Sequence, residues 1–317
     1  MKRIAVGWCV LVAVSVGPAA VAASGGQNVL RESLRREALV RINRDRAAAG
    51  LGPVVLDPVA SRIADAYCEE QIEFGTTGHY SVDGQSPYMR YSLGGGNDGL
   101  TENTASWSAD YPFNDAMVLD LVQRSEQVMI AEKPPGDGHR KAILDPDATH
   151  VGIGLAWRGG EFRMTQEFLR RYVRWSSDVP RIATEGERVH LAGTTLRGSR
   201  IDAISLYHEP LPRPLSVSEA NRIETYSLPE TRRNFGLRRE NDRRGLAALA
   251  RSDAPIASPS IDVGPDGEFS CTLPLDQGSG VYTIVAWVRK DGRQLPASNI
   301  SIRVEPLRGL ATGAATR

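Results

Sequence analysis

Apolar residues recur at helical spacing in three stretches of the first half of the chain. Over 30–49, Leu34, Ala38 and Ile42 stand four apart among Arg and Glu, and Gly50 follows. That spacing predicts a helix with one apolar stripe. Asp57-Pro58 opens a second one, because Asp caps and Pro suits the first helical position. Val59, Ile63, Ala66 and Tyr67 form its stripe, and Gly75 and Gly78 end the region just before His79. Helical spacing returns over 114–130 through Met117, Leu121, Val128 and Met129. Between these helices, 81–99 is turn-rich and ends in Gly94-Gly95-Gly96-Asn97-Asp98-Gly99, which predicts an extended functional loop. Residues 151–157 and 161–173 then read as two strands joined at Gly159-Gly160. Helices first and strands after predict an α+β or three-layer arrangement, not repeated βαβ units.

Past about residue 178 the period shortens. Runs at 187–192, 202–208, 268–273, 281–289 and 300–305 are strand-like and separated by Gly, Pro, Asp and Ser. Short strands with regular turns predict an all-β immunoglobulin-like sandwich over 180–307. An insertion at about 209–260 is rich in Pro, Ser and Arg, with arginine pairs at 232–233, 238–239 and 243–244. Interleaved Glu and Asp make it a solvated loop or exposed helix, not a nucleic-acid patch. The Gly/Ala/Thr-rich tail over 308–317 reads as disordered.

Composition changes this picture in two places. Lys2 and Arg3, the apolar run from Ile4 to Val16 and Ala20-Val21-Ala22 match an export signal over 1–23. The run is short for a bilayer span, with a retained anchor as the alternative. The chain has 38 basic and 38 acidic residues in its 317, and 36 against 38 without Lys2 and Arg3. No basic field therefore advertises nucleic acid or an anionic membrane. Beyond Cys9, only Cys68 and Cys271 remain; one disulfide is arithmetically open to them, but they fall in different predicted domains and read more readily as two buried thiols.

Three local signatures stand in a fixed order. Phe74-Gly-Thr-Thr-Gly-His79-Tyr-Ser-Val-Asp-Gly84 is followed by Pro87 and Arg90-Tyr91; then comes Thr101-Glu102-Asn103-Thr-Ala105. Gly138-His139-Arg140-Lys-Ala-Ile-Leu144 runs through Pro146 into Val151-Gly-Ile-Gly154. With Asn43-Arg44-Asp45-Arg46 before them and Thr165-Gln166-Glu167-Phe168 after, the order over 30–175 resembles the CAP superfamily. That superfamily includes cysteine-rich secretory proteins, venom antigens, plant pathogenesis-related proteins and bacterial secreted SCP-domain proteins. The resemblance implies an α-β-α sandwich with an open cleft lined by His79, Glu102 and His139. It also implies a second acid, assigned to Glu126 with Glu132 as the fallback. Thr101 departs from the Gly that many relatives carry before the Glu-Asn pair.

Two neutral imidazoles and a carboxylate suit Zn²⁺ or another divalent cation, with His79 and His139 as ligands. The same groups suit general acid–base work, or they simply pin loop to helix through hydrogen bonds. Ser81 shares a face with His79 but lacks a recognisable base and oxyanion hole. His150, His190 and His208 have no partner pattern. Three readings follow: a secreted module binding a metal, lipid, sterol-like molecule, glycan or protein; a metal-dependent peptidase; and a structural cell-envelope protein with a vestigial cleft.

Overall fold

A computed structural model describes residues 18–238 and 260–307. Most of the expected leader, most of the second half of the arginine-containing insertion and the 308–317 tail lie outside the described residues. The first layer consists of α1 (Pro18–Ala48), α4 (Asp115–Ala131) and the short α5 (Gly138–Ile143). The second is a sheet in the order β1-β3-β4-β2, formed by β1 (Val55–Leu56), β3 (His150–Arg158), β4 (Glu161–Arg170) and β2 (Gly99–Ser108). Helix α2 (Pro58–Phe74) covers the other face, and α3 (Pro87–Leu93) follows it.

The pattern of β3 explains the layering. Val151, Ile153 and Leu155 pack with Leu34, Ala38 and Ile42 of α1 and with Val118, Val122 and Met129 of α4. The alternate residues are Gly152 and Gly154, which face α2. A Cβ added at Gly152 would lie 2.3 Å from the Ala60 Cβ, and one at Gly154 would lie 2.2 Å from the Ala64 carbonyl carbon. Helix α2 therefore rests directly on strand backbone. Its start is capped by Asp57, whose side chain accepts the Ala60 N–H at 2.8 Å, and it ends at Gly75, whose φ of +74° suits glycine.

The early Asn43…Arg46 signature is structural. Asn43 clasps Val54 through both its N–H and its carbonyl, at 2.8 and 3.0 Å. The buried Arg46 guanidinium donates to the carbonyls of Gly52, Ile143, Asp145 and Ala148, tying α1 to the end of α5.

The expected loop over 81–99 contains a helix. Pro87 opens α3 at its first helical position, and Tyr88, Met89, Tyr91 and Ser92 are buried. The glycine run after it serves close packing as well as turning: a Cβ at Gly96 would enter the Tyr91 ring, and one at Gly99 would lie 2.3 Å from the Pro296 carbonyl oxygen.

The remaining strands are β5 (Val173–Trp175), β6 (Ile182–Thr184), β7 (Arg188–Thr195), β8 (Arg200–Glu209), β9 (Arg232–Gly236), β10 (Asp262–Val263), β11 (Glu268–Pro274), β12 (Gly280–Lys290), β13 (Arg293–Pro296) and β14 (Ile300–Glu305). They form one sheet in the order β10-β11-β7-β5 and a second in the order β6-β14-β12-β8-β9, with β13 paired to β12. Leu191, Cys271 and Leu273 from the first sheet share a core with Ile204, Leu206, Ile284 and Ile302 from the second. Early in β12, the Tyr282 hydroxyl donates to the Gly278 carbonyl at 2.9 Å and accepts the Gln277 N–H at 2.6 Å. Cys68 and Cys271 are buried free thiols. Among the described residues, no helix is long and apolar enough to cross a membrane.

The two cores meet through a small apolar cluster of Tyr88, Met89 and Val281 and through polar contacts. Asn299 accepts the Leu100 N–H at 2.7 Å, Ser92 accepts the Ser301 N–H at 2.7 Å, and Arg293 forms a two-pronged ion pair with Asp147. Between β8 and β9, residues 210–231 leave the second sheet and run across the first domain, with one short helix, α6 (Val217–Arg222), on the way.

Candidate functional site

His79 follows α2 directly. The turn is held because Tyr67 Oη and Gln71 Nε2 both donate to the Gly78 carbonyl, at 2.7 and 2.9 Å. Glu102 comes from β2, the outer strand of the sheet. Its carboxylate is fully buried and held at both oxygens: His79 Nδ1 lies 2.9 Å from Oε1, and Arg90 of α3 donates to Oε2 at 2.5 Å. A carboxylate only accepts, so Nδ1 carries the proton of this bond and Nε2 is the ring nitrogen left for another partner. Arg90 also donates to the His79 carbonyl and to Ser81 Oγ, at 3.1 and 3.2 Å, and lies 3.4 Å above the Tyr67 ring. Glu102 raises the Arg90 guanidinium further above its ordinary range, against the opposing effect of burial.

Behind this group, Glu167 of β4 stands directly opposite Glu102 in the strand pair. It is fully buried, and neither carboxyl oxygen has a hydrogen-bond partner. Burial, reinforced by the neighbouring Glu102 carboxylate, pushes its carboxyl well above the usual range. Tyr226, from the 210–231 segment, closes the front. Its oxygen accepts the Glu102 backbone N–H at 2.5 Å, and its ring meets His79 edge-on with centroids 5.0 Å apart.

His139 belongs to a second cluster. Its Nδ1 lies 2.5 Å from Glu132 Oε1, and the other Glu132 oxygen accepts the His139 N–H at 2.9 Å and the Arg140 N–H at 3.3 Å. Glu132 thus orients the imidazole and satisfies the free amides at the start of α5. Neighbouring side chains on a strand point to opposite faces. Glu102 therefore turns toward α2, while Asn103 turns toward α5, where it donates to the His139 carbonyl at 3.1 Å and to Gln166 Oε1 at 3.0 Å.

Glu126, expected as the second acid of the site, is a buried residue of α4. Its side chain projects from α4 into the core, where Oε1 accepts from Gln166 at 2.5 Å and Oε2 has no partner. Burial pushes this carboxyl well above the ordinary range. The acid that reaches His139 is Glu132, because the turn after α4 folds back onto the start of α5. His79 and His139 each bond their own glutamate through Nδ1, which leaves Nε2 of each ring as the remaining donor or acceptor. Among the described residues, no group of three or more His, Cys, Asp and Glu side chains gathers at metal-binding spacing.

Ser81 Oγ accepts from Arg90 and so belongs to the Arg90 clamp. His150 bonds Thr149, His190 meets Thr272, and His208 contacts the Ser279 carbonyl, all outside the site. Sequence reasoning gave no role to Arg90, although it lies within the quoted signature. It missed Tyr226 entirely, because no local pattern marks one tyrosine in a polar segment.

A three-layer α-β-α domain, carrying a His–Glu–Arg cluster at its outer strand and a His–Glu pair at a helix start, defines the class. Residues 39–168 match the family model described as CAP: Cysteine-rich secretory protein family. The uncharacterized protein YkwD of Bacillus subtilis (strain 168) is 27% identical over 128 residues, covering 40% of this chain and 43% of the relative. The match thus spans less than half the length of that relative. Among solved structures, an extracellular protein containing a SCP domain from Bacillus anthracis str. Ames is 19% identical, with 43% of this chain and 40% of that one covered and a TM-score of 0.33. An outer surface protein from Borrelia burgdorferi is 16% identical, with coverages of 44% and 93% and a TM-score of 0.35.

Proposed function

We propose that this is an exported binding protein whose CAP domain holds a ligand group against His79 and the outer edge of β2. One observation carries this reading. The cleft already receives a side chain from outside the domain, Tyr226, through the Glu102 amide and the His79 ring. Meanwhile the Glu102 carboxylate has both oxygens engaged, so it orients His79 and is poorly placed to take a substrate proton. Export is supported by the leader pattern and by the word "secretory" in the matched family description.

We take 30–175 and 180–307 as two folding units, supported by the two cores, which part between Phe168 and Tyr172. An immunoglobulin-like identity for the second is supported by strand order. β5-β7-β11-β10 and β9-β8-β12-β14 follow the A-B-E-D and C′-C-F-G orders of that fold, and Tyr282 occupies the tyrosine-corner position. That domain serves as the wall and partner of the cleft.

A thermal-shift panel tests the binding reading with Zn²⁺, sterol-containing vesicles, chitooligosaccharides and a tyrosine-containing peptide library. Stabilisation by one class in the wild type that is lost in His79→Ala supports it. Peptide turnover that disappears in Glu102→Gln, with no His79-dependent stabilisation by any class, overturns it.

The hydrolase reading has one observation in its favour. The His139 side chain keeps 34% of its surface exposed, and its Nδ1 is held by Glu132, the arrangement of a general base with its orienting carboxylate. Under that reading, turnover falls in Glu132→Gln.

A further inference from the structure

Strands β8 and β9 are antiparallel neighbours, with Ala203 opposite Gly236 and Tyr207 opposite Arg232. Two residues suffice to join such a pair. This chain uses 210–231 and spends the excess on a path over the CAP domain. The Leu215 N–H donates to the Val82 carbonyl at 2.8 Å. The Gly84 α-carbon meets the strap so closely that an added Cβ would lie 2.2 Å from the Arg213 carbonyl oxygen. Asn221 accepts the Thr77 N–H at 2.9 Å and donates to the Gly75 carbonyl at 3.2 Å, bracketing the turn that carries His79. Tyr226 then enters the cleft, and the Ser227 carbonyl faces the Tyr88 hydroxyl.

The manner of attachment matters as much as the path. Of the residues from 210 to 228, only Ala220 is buried, and Asn221, Arg213, Ser216 and Val217 are exposed. Apolar contact is confined to one end of the strap, where Tyr226 and Leu228 pack against Tyr88, Met89 and Val281, and hydrophobic burial contributes little over the rest of its length. A few backbone hydrogen bonds, each worth about 1 kcal/mol net, and one aromatic anchor do most of the holding. The N–H groups that receive this domain, at Leu100 and Glu102, lie on the open side of edge strand β2, where an extended chain finds unpaired donors.

Resting on the binding function proposed above, we infer that residues 210–228 are a displaceable internal ligand of the CAP cleft. The external ligand that takes their place is an extended polypeptide presenting a tyrosine to His79 and the Glu102 N–H. Tethering gives the strap an effective concentration in the millimolar range, so the closed state prevails until a competing segment binds more tightly or the strap is loosened.

The experiment uses the full chain as wild type, Tyr226→Ala and Asn221→Ala; the latter releases the strap away from the cleft. Two quantities are read. The first is the acylation rate of His79 by diethyl pyrocarbonate, with the more exposed His139 as internal control. The second is fluorescence anisotropy of a labelled synthetic peptide with the sequence of residues 210–228. Both variants are expected to acylate His79 at least tenfold faster than wild type, with His139 unchanged. Both are also expected to bind the peptide at least tenfold more tightly than wild type. A peptide with Phe at the Tyr226 position is expected to lose most of that binding, because it cannot accept the Glu102 N–H. Unchanged His79 acylation in both variants overturns the displaceable strap. Faster acylation with no peptide binding overturns the polypeptide ligand. If that happens while another class in the thermal-shift panel binds in a His79-dependent way, the binding function stands and this inference alone falls.

Discussion

The backbone N–H of Glu102 donates to the phenol oxygen of Tyr226, 124 positions further along the chain. The bond crosses from the outer strand of one domain to a connecting segment of the other. It fills one open donor of a sheet edge and brings an aromatic ring onto His79. The surroundings of His79 and Glu102 are therefore built partly by the sheet of the first core and partly by the 210–231 connection between two strands of the second.

Arg90 is the main support of that cleft. Replacing it by Met leaves the Glu102 carboxylate buried with only the His79 contact, and breaking such a buried pair costs about 3–5 kcal/mol. Denaturant unfolding of Arg90→Met should show a loss of this order. The double variant Arg90→Met/Glu102→Gln should be distinctly more stable than the sum of the two single losses predicts, because it leaves no uncompensated charge. Additive losses would show that the pair is not coupled.

Gly152 and Gly154 define how closely α2 approaches the sheet. Gly154→Ala should destabilise by about 1–3 kcal/mol or more through overpacking against the Ala64 backbone. Gly52→Ala is the control: nothing lies within 4 Å of an added Cβ there, and the change should be neutral or slightly stabilising. Equal midpoints for the two variants would mean that the helix can move away without cost.

Glu126 and Glu167 give stability a pH dependence of known sign. Burial raises both carboxyls in the fold, so each is protonated there and ionises on unfolding. Such a group favours the fold fully below its unfolded value of about 4.3, and that advantage is lost as pH rises toward the folded value. Glu126→Gln, which can keep the Gln166 contact, should therefore gain stability relative to wild type between about pH 5 and 8, more at the alkaline end. A difference independent of pH would place the ionised form in the fold.

The two free thiols should react accordingly. Burial raises both, Cys68 far above the usual thiol range and Cys271 to about 11. Under native conditions neither should label with a maleimide reagent over minutes, and both should label after unfolding without added reductant. A missing pair of thiols in the unfolded chain would reveal a disulfide between the two domains.

Zinc titration by calorimetry separates the two histidines. A single site shared by His79 and His139 would vanish in either alanine variant. Each ring keeps Nε2 free while Nδ1 is held by its own glutamate, and two rings that bind independently would each leave the other variant's heat unchanged. Loss of one stoichiometric site in both would show that the clusters merge on binding.

Much of the first domain is legible as local pattern. Asp57, Pro58 and Gly75 specify the ends of α2 by capping chemistry that needs no distant partner. The alternation Val151-Gly152-Ile153-Gly154 assigns the faces of β3. The helix at 87–93 is less visible, because seven residues show barely two turns of periodicity and the glycines that follow suggest freedom, where they in fact admit Tyr91 and Pro296. Glu126 and Glu132 illustrate the same limit. Both lie at suitable distances from His139 along the chain, and only the fold of the turn after α4 decides which one meets it.

Residue type and order alone established that His79, Glu102 and His139 belong to a CAP-type pattern, because their spacing is written in the chain. Only the tertiary structure decided that each histidine bonds its own glutamate, that Arg90 pairs with Glu102, and that Tyr226 lies against His79. Those outcomes depend on which face of β2 a side chain takes and on where a 22-residue connection between adjacent strands comes to rest. Contacts between residues more than a hundred positions apart leave no local periodicity, since their free energy comes from packing and desolvation that exist only once both domains have folded.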